Sequence, residues 1–331
     1  MLARNLKRVL MLHTGGTLGM MGTPLEPGHF QETLIRRVPE LAQIASIQTR
    51  IICNLDSTDV GAPEWTLLAK MIAEERPRID GVVIIHGTDT MAYTASALAF
   101  ALQGLDLPVV LTGAQRPASA LRTDARRNLQ DAVEVATLDI CEVGICFDGR
   151  LLRGSRAVKN DAWKYRAFSS PGLEPLAEFG LEIDVSPNAR LRPGRPFRCE
   201  PDFDDRVALV YVHPGMRPAT LERTLAGDDV QGVVLAALGV GNLPTVTNPL
   251  APVIRDAVDR GVEVVVVTQW GGGVRMGAYQ TGTALRDAGA VSGGRMRIEA
   301  AVPKLMHALA NHTDTMVRRA YLELDVAGEL E

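Results

Sequence analysis

Four short segments of the chain gather hydroxyl, carboxylate and amide side chains beside glycines. They are His13-Thr14-Gly15-Gly16-Thr17-Leu18-Gly19, Asn54-Leu55-Asp56-Ser57-Thr58-Asp59, His86-Gly87-Thr88-Asp89-Thr90 and Thr112-Gly113-Ala114-Gln115. A threonine presented by a tight glycine turn can act as a nucleophile when a base stands nearby. Thr17 fits that description. Thr88 supplies a second hydroxyl and Asp89 a carboxylate. If a helix starts near Asp89, its unpaired N–H groups can bind a carboxylate or stabilise an oxyanion. The simpler reading is that these Ser, Thr and Asp residues are helix N-caps, with Asp89 capping its own helix. That accounts for one such segment more easily than for all four. The glycine loop lacks both the GxGxxG spacing and a Walker lysine, so phosphate binding is not indicated.

The basic residues point to a further group. Of 35, only five are lysines: Lys7, Lys70, Lys159, Lys164 and Lys304. Lysine can give up its proton when desolvated, whereas arginine cannot. Lys159 and Lys164 lie in a polar, non-periodic stretch, Arg153 to Lys164. Hydroxyl, amine and carboxylate together make a proton relay around an activated hydroxyl. Lys159 is the candidate amine. Lys7, Lys70 and Lys304 read as solvated, and Lys164 as structural. The six histidines include no HExxH motif and the four cysteines no CxxC pair. No metal site is therefore expected, and the cysteines read as buried thiols.

The elements that must hold these segments follow from the apolar pattern. Strands are expected at 8–12, 46–52, 81–85, 108–111 and 143–147, the last opening a strand pair around 143–152. Helices are expected at 63–76, 89–102 and 124–136. Strand–helix alternation with buried β-branched runs implies a mostly parallel sheet covered on both faces, with ligands at the strand carboxyl ends. Each of the four segments follows one of these strands. Prolines at 187, 193, 196 and 201 interrupt the pattern between Asp184 and Arg206. Alternation then resumes, with strands at 207–212, 232–238 and 262–268 and helices at 218–225, 249–260, 302–310 and 315–322. The expected division is a domain at 1–190, a linker at 191–206 and a smaller domain at 207–331.

A net charge of −4 shows no basic field for nucleic acid. The longest apolar runs fall well short of the roughly 20 residues a membrane helix needs. The apolar stretch Val9–Leu12 is too short for a signal peptide, so a cytoplasmic protein is expected.

Thr14-Gly15-Gly16-Thr17, Asp56-Ser57 and the run from His86 to Ala95 resemble, in this order, the signatures of the bacterial L-asparaginase family. Arg153-Gly154 leading to Lys159, and Gly239-Val240-Gly241-Asn242, extend the resemblance over nearly the whole chain. The Thr90–Ala95 segment is similar to that of the type I, cytoplasmic branch. The resemblance implies a two-domain α/β fold, with a larger flavodoxin-like N-terminal sheet and a smaller Rossmann-like C-terminal domain. It implies Thr17 as the acylated nucleophile and Thr88, Lys159 and Asp89 as a second relay. Asp56, Ser57, Thr58, Thr88 and Asp89 would hold the substrate amino and carboxylate groups. The oxyanion would rest on N–H groups near Thr88 and in the segment from Thr112. Asn242 would reach the site of a neighbouring subunit in a homodimer or homotetramer. The implied reaction takes L-asparagine to an acyl-enzyme with release of ammonia, then to L-aspartate. It needs no cofactor and carries minor glutaminase activity at most.

The chain also departs from that pattern. Met20–His29 contains no tyrosine where the family's lid usually has one, and the loop is short. Apolar Ala236–Leu238 and Trp270 stand where an allosteric pocket's arginine and cysteine are expected, so no such pocket is anticipated. Two other readings stay open. A glutaminase-like subunit of a tRNA-dependent amidotransferase would carry an extra domain ahead of Thr14, which is not expected here. A non-catalytic amino-acid-binding or sensing protein would keep the hydroxyl cluster and release no ammonia.

Overall fold

The computed structural model describes residues 6–21, 26–27, 38–227 and 229–331. They form two compact units, Met1–Pro201 and Asp202–Glu331. Most of the lid segment Met20–His29 lies outside the described residues.

In the first unit the buried apolar runs become adjacent strands. β1 (Arg8–Gly15) pairs in parallel with β2 (Ser46–Leu55) on one side and β3 (Gly81–Ile85) on the other. β4 (Val109–Thr112) and β5 (Val143–Phe147) continue the parallel order beyond β3. β1, β3, β4 and β5 are buried along nearly their whole length, as expected of strands covered on both faces. Three antiparallel strands, β6 (Arg150–Arg153), β7 (Ala177–Phe179) and β8 (Ile183–Val185), extend the sheet to eight. The parallel part therefore runs 2-1-3-4-5, the flavodoxin-like order. In that order the switch point, where ligands bind, lies between β1 and β3.

The longer helices are α1 (Ala62–Glu75), α2 (Met91–Ala101) and α3 (Ala125–Val135). α2 is buried almost all round, which explains its lack of polar faces. One apolar cluster joins Val9, Met11, Val83, Ile85, Val110 and Leu129 and extends to Leu176 and Ala177. Arg198–Cys199 pairs with Leu102–Gln103 just past α2, so the proline-rich stretch is anchored to the first unit there.

The second unit is a four-stranded parallel sheet in the order β9 (Val207–Tyr211), β10 (Gly232–Ala237), β11 (Glu263–Thr268) and β12 (Val291–Ser292). Its helices are α4 (Pro218–Leu225), α5 (Ala251–Asp259), α6 (Gln280–Asp287), α7 (Ile298–Asn311) and α8 (Thr315–Glu323). The sequence pattern did not indicate α6 or β12. The α6 segment is mostly polar and has only Gly282 and Leu285 buried, so it shows almost no apolar stripe. α7 begins four residues before the expected start and carries Pro303 within it.

Lys304 corrects an expectation. It is not solvated: both Lys304 and Glu329 are 0% exposed and their side chains pair at 2.5 Å. The ammonium also donates to the carbonyls of Leu322 and Leu324, at 3.0 and 2.6 Å. Glu329 in turn accepts from the N–H groups of Val326 and Ala327. The pair ties the end of the chain to α7. The cysteines are free, and only Cys146 is fully buried; Cys53, Cys141 and Cys199 are half-buried.

Candidate active site

β1 and β3 flank the switch point, and their following loops press together there. The Thr14 hydroxyl donates to the Ile85 carbonyl at 3.0 Å, tying the two strand ends. Gly16 has φ +91°, and a Cβ on it would lie 2.5 Å from the Gly87 nitrogen. Only glycine permits both that backbone conformation and that approach. Thr17 follows at once and opens a single 3-10 turn, half-buried, with Leu18 enclosed behind it. The Ala118 N–H donates to the Leu18 carbonyl at 3.4 Å, which links this turn to the loop after β4.

The β2 loop closes on the other side. A Cβ on Gly87 would sit 2.6 Å from the Ser57 side chain. The Thr90 hydroxyl donates to the Ser57 carbonyl at 2.5 Å. Ser57 is buried, while Asp56 and Thr58 are exposed. Asp56 caps the turn Ser57–Asp59, and its Oδ1 accepts from the Thr58 N–H at 2.9 Å and the Thr58 hydroxyl at 2.7 Å. Those two bonds hold the Asp56 carboxyl below the usual carboxylate range.

Lys159 reaches the start of α2 from further along the chain. After β6, Gly154 lies against α2, where the Ser96 hydroxyl donates to its carbonyl at 3.3 Å. The next residues climb beside the helix to a two-residue strand, Val158–Lys159, paired with Phe168–Ser169. There the Lys159 ammonium donates to Thr88 Oγ1 at 2.8 Å and to Asp89 Oδ1 at 2.5 Å. Thr88 is 7% exposed, the Lys159 side chain 16% and the Asp89 side chain 61%. Arg153, by contrast, is an anchor: it is buried and paired with Glu142 at 2.7 Å.

The structure corrects the capping reading of Asp89. The helix begins at Met91 with Thr90 at the N-cap position, and the Asp89 carboxylate accepts from Lys159.

Two groups were not singled out from the sequence. The Thr88 hydroxyl donates to Gln115 Oε1 at 3.2 Å. His86 is enclosed, with Nδ1 2.7 Å from the Gly87 carbonyl and Nε2 2.9 Å from the Thr94 hydroxyl. That hydroxyl also accepts from the Trp65 indole at 2.9 Å. Burial takes the His86 pKa down to about 4, so the ring is neutral and its Nδ1–H is the donor to Gly87. The chain Trp65–Thr94–His86 thereby fixes the carbonyl next to Thr88.

Asn242 lies in the second unit, on the turn after β10. Its Oδ1 accepts from the Thr281 hydroxyl at 2.9 Å, and its backbone bridges Leu238. Trp270, after β11, is half-exposed, and its carbonyl accepts from Arg297 at 2.5 Å. Among the described residues no group of three His, Cys, Asp or Glu side chains is placed to hold a metal ion. No described helix is long and apolar enough to cross a membrane.

Threonine hydroxyls, a lysine and a carboxylate at the switch point of a 2-1-3-4-5 sheet are groups with which acyl transfer to a hydroxyl can be carried out. Residues 8–191 match the family described as Asparaginase, N-terminal, and residues 206–322 match the Glutaminase/Asparaginase C-terminal domain. The chain belongs to the asparaginase family. It is 37% identical over 336 residues to L-asparaginase 1 of Escherichia coli K12, covering 98% of each chain. The crystal structure of L-asparaginase I from Vibrio cholerae superposes with a TM-score of 0.89 at 36% identity, over 98% of this chain and 99% of that one. The thermostable L-asparaginase from Thermococcus kodakarensis gives a TM-score of 0.89 at 33% identity, over 98% of this chain and 99% of that one.

Proposed function

We propose that this chain hydrolyses L-asparagine to L-aspartate and ammonia through an acyl-enzyme on Thr17. One observation carries the reading: the Lys159 ammonium touches both Thr88 Oγ1 and Asp89 beside the loop that presents Thr17. Thr17 Oγ adds to the side-chain amide carbon of the substrate, the carbon–nitrogen bond breaks, and ammonia leaves. Water then adds to the ester carbon, the bond to Thr17 breaks, and aspartate leaves. The Thr88–Lys159–Asp89 relay takes the proton from each attacking oxygen and returns it to the leaving group. Each addition places charge on an oxygen that backbone N–H groups in the Thr88 and Thr112 segments would stabilise.

Ser57, Thr88 and Asp89 are proposed to hold the α-amino and α-carboxylate groups of the substrate. Asp56 and Thr58 bond to each other, so recruiting them means exchanging that bond for substrate. Asn242 is proposed to serve a neighbouring copy. The remaining expectations stand as part of the same reading: residues 1–190 carry the chemistry, 191–206 link, and 207–331 complete the assembly. The protein would be a cytoplasmic homodimer or homotetramer that binds no nucleic acid. The test is ammonia release from L-asparagine, L-glutamine and D-asparagine. Turnover is expected with L-asparagine foremost; no release from any amide overturns the reading.

A further inference from the structure

We propose that Gln115 is a positioning residue that holds the Thr88 hydroxyl turned away from Lys159. The inference rests on the threonine–lysine relay proposed above. A hydroxyl has one hydrogen. That of Thr88 is directed to Gln115 Oε1, at 3.2 Å, while its oxygen accepts from the Lys159 ammonium, at 2.8 Å. For Lys159 to take the Thr88 proton, the hydroxyl must rotate off Gln115 and point at the amine.

Gln115 cannot reverse its amide to suit. Its Nε2 donates to the carbonyls of Lys164 and Asp161, at 3.0 and 3.4 Å, so only Oε1 can face Thr88. Its backbone is fixed too, because Asp124 Oδ2 accepts from the Gln115 N–H at 2.9 Å. The turn that offers the two carbonyls is built by Asp161, whose Oδ1 accepts from the N–H groups of Trp163 and Lys164. The Tyr165 hydroxyl donates to the Arg122 carbonyl and joins this turn to the loop after Gln115. This assigns the Lys164 stretch its place: its backbone, not its ammonium, serves the site.

Gln115 therefore acts as a latch on relay polarity. It stabilises the state in which lysine is charged and Thr88 accepts, and it opposes the state in which Thr88 donates. The charged groups bonded to the relay or to its supports are Asp89, Asp124, Asp161 and Lys164.

The test is the pH profile of kcat/KM for L-asparagine in the wild type, Gln115→Met and Gln115→Glu. Both variants lose the anchors to Asp161 and Lys164; they differ in the acceptor that faces Thr88. The acid limb is expected to move down by roughly half to one pH unit in Gln115→Met and up in Gln115→Glu. Limbs that stay at the wild-type position, or move together in one direction, overturn the latch. So does a folded Gln115→Met protein with no turnover at any pH, because the acceptor would then be required rather than restraining. If Gln115→Met does not fold, Gln115→Leu, which likewise offers Thr88 no acceptor, is read in its place, because a carboxylate at 115 raises the limb by its charge whether or not the hydroxyl is latched. An inactive wild type would instead overturn the reading of the whole site.

Discussion

Replacing Lys159 by methionine or arginine separates activity from stability. Methionine keeps the length of the side chain and removes the ammonium. Two bonds are lost, at 2.8 Å to Thr88 and 2.5 Å to Asp89. The Asp89 side chain is 61% exposed, so its freed carboxylate is solvated at once and the pair is worth about 0–1 kcal/mol to the fold. A loss of that size moves the melting temperature by only a few degrees, roughly 2–4 °C per kcal/mol. The expected cost in rate is far larger. A positioned acid–base group contributes about 10²–10⁴-fold, so kcat for ammonia release should fall by that factor. Lys159→Arg should fall nearly as far, because the guanidinium keeps the charge but holds its proton. The assay is steady-state ammonia release beside a thermal melt of each variant. A Lys159→Arg protein that keeps more than about a tenth of wild-type kcat would refute the proton-transfer role.

Three other outcomes follow from the geometry. Gly16→Ala drives a methyl into the Gly87 backbone at a φ of +91°, so activity is expected to fall at least tenfold, with a measurable loss of thermal stability. Lys304→Met leaves Glu329 charged and buried without its partner, at a cost of about 3–5 kcal/mol in denaturant unfolding; a cost under about 1 kcal/mol would show the pair to be dispensable. His86 titrates near 4 in the fold and near 6.5 unfolded, so below pH 6.5 only the unfolded state gains the proton. Stability should decline from about pH 6.5 toward pH 4, by up to about 1.4 kcal/mol per unit from this residue, and that decline should shrink in His86→Gln.

Much of this was legible in the sequence because the strands of the parallel sheet are runs such as Gly81–Ile85, whose apolar character reflects burial on both faces. The loops carrying Thr17, Ser57, Thr88 and Gln115 then had to fall at strand ends. What stayed hidden depends on contacts distant in sequence. Lys304 looks like any helical lysine until the chain end returns with Glu329, 25 positions later in the numbering. Asp89 looks like a cap until Lys159 arrives beside it. Gln115 ends a strand segment already marked for chemistry, yet its partners, Thr88 and the carbonyl of Lys164, come from loops that only the fold brings together. His86 lies in the segment after β3, and its bond to Thr94 follows only once α2 is seen to bring Thr94 between it and Trp65.

The central claim is that Thr17 is acylated by L-asparagine. It is tested most directly by mixing the protein with L-asparagine, quenching with acid within milliseconds to seconds, and locating the adduct by peptide mass spectrometry. The account predicts an aspartyl ester on the peptide containing Thr17, absent from Thr17→Ala, which also releases no ammonia above background. An adduct on another residue, or a Thr17→Ala protein that releases ammonia at the wild-type rate, would contradict it.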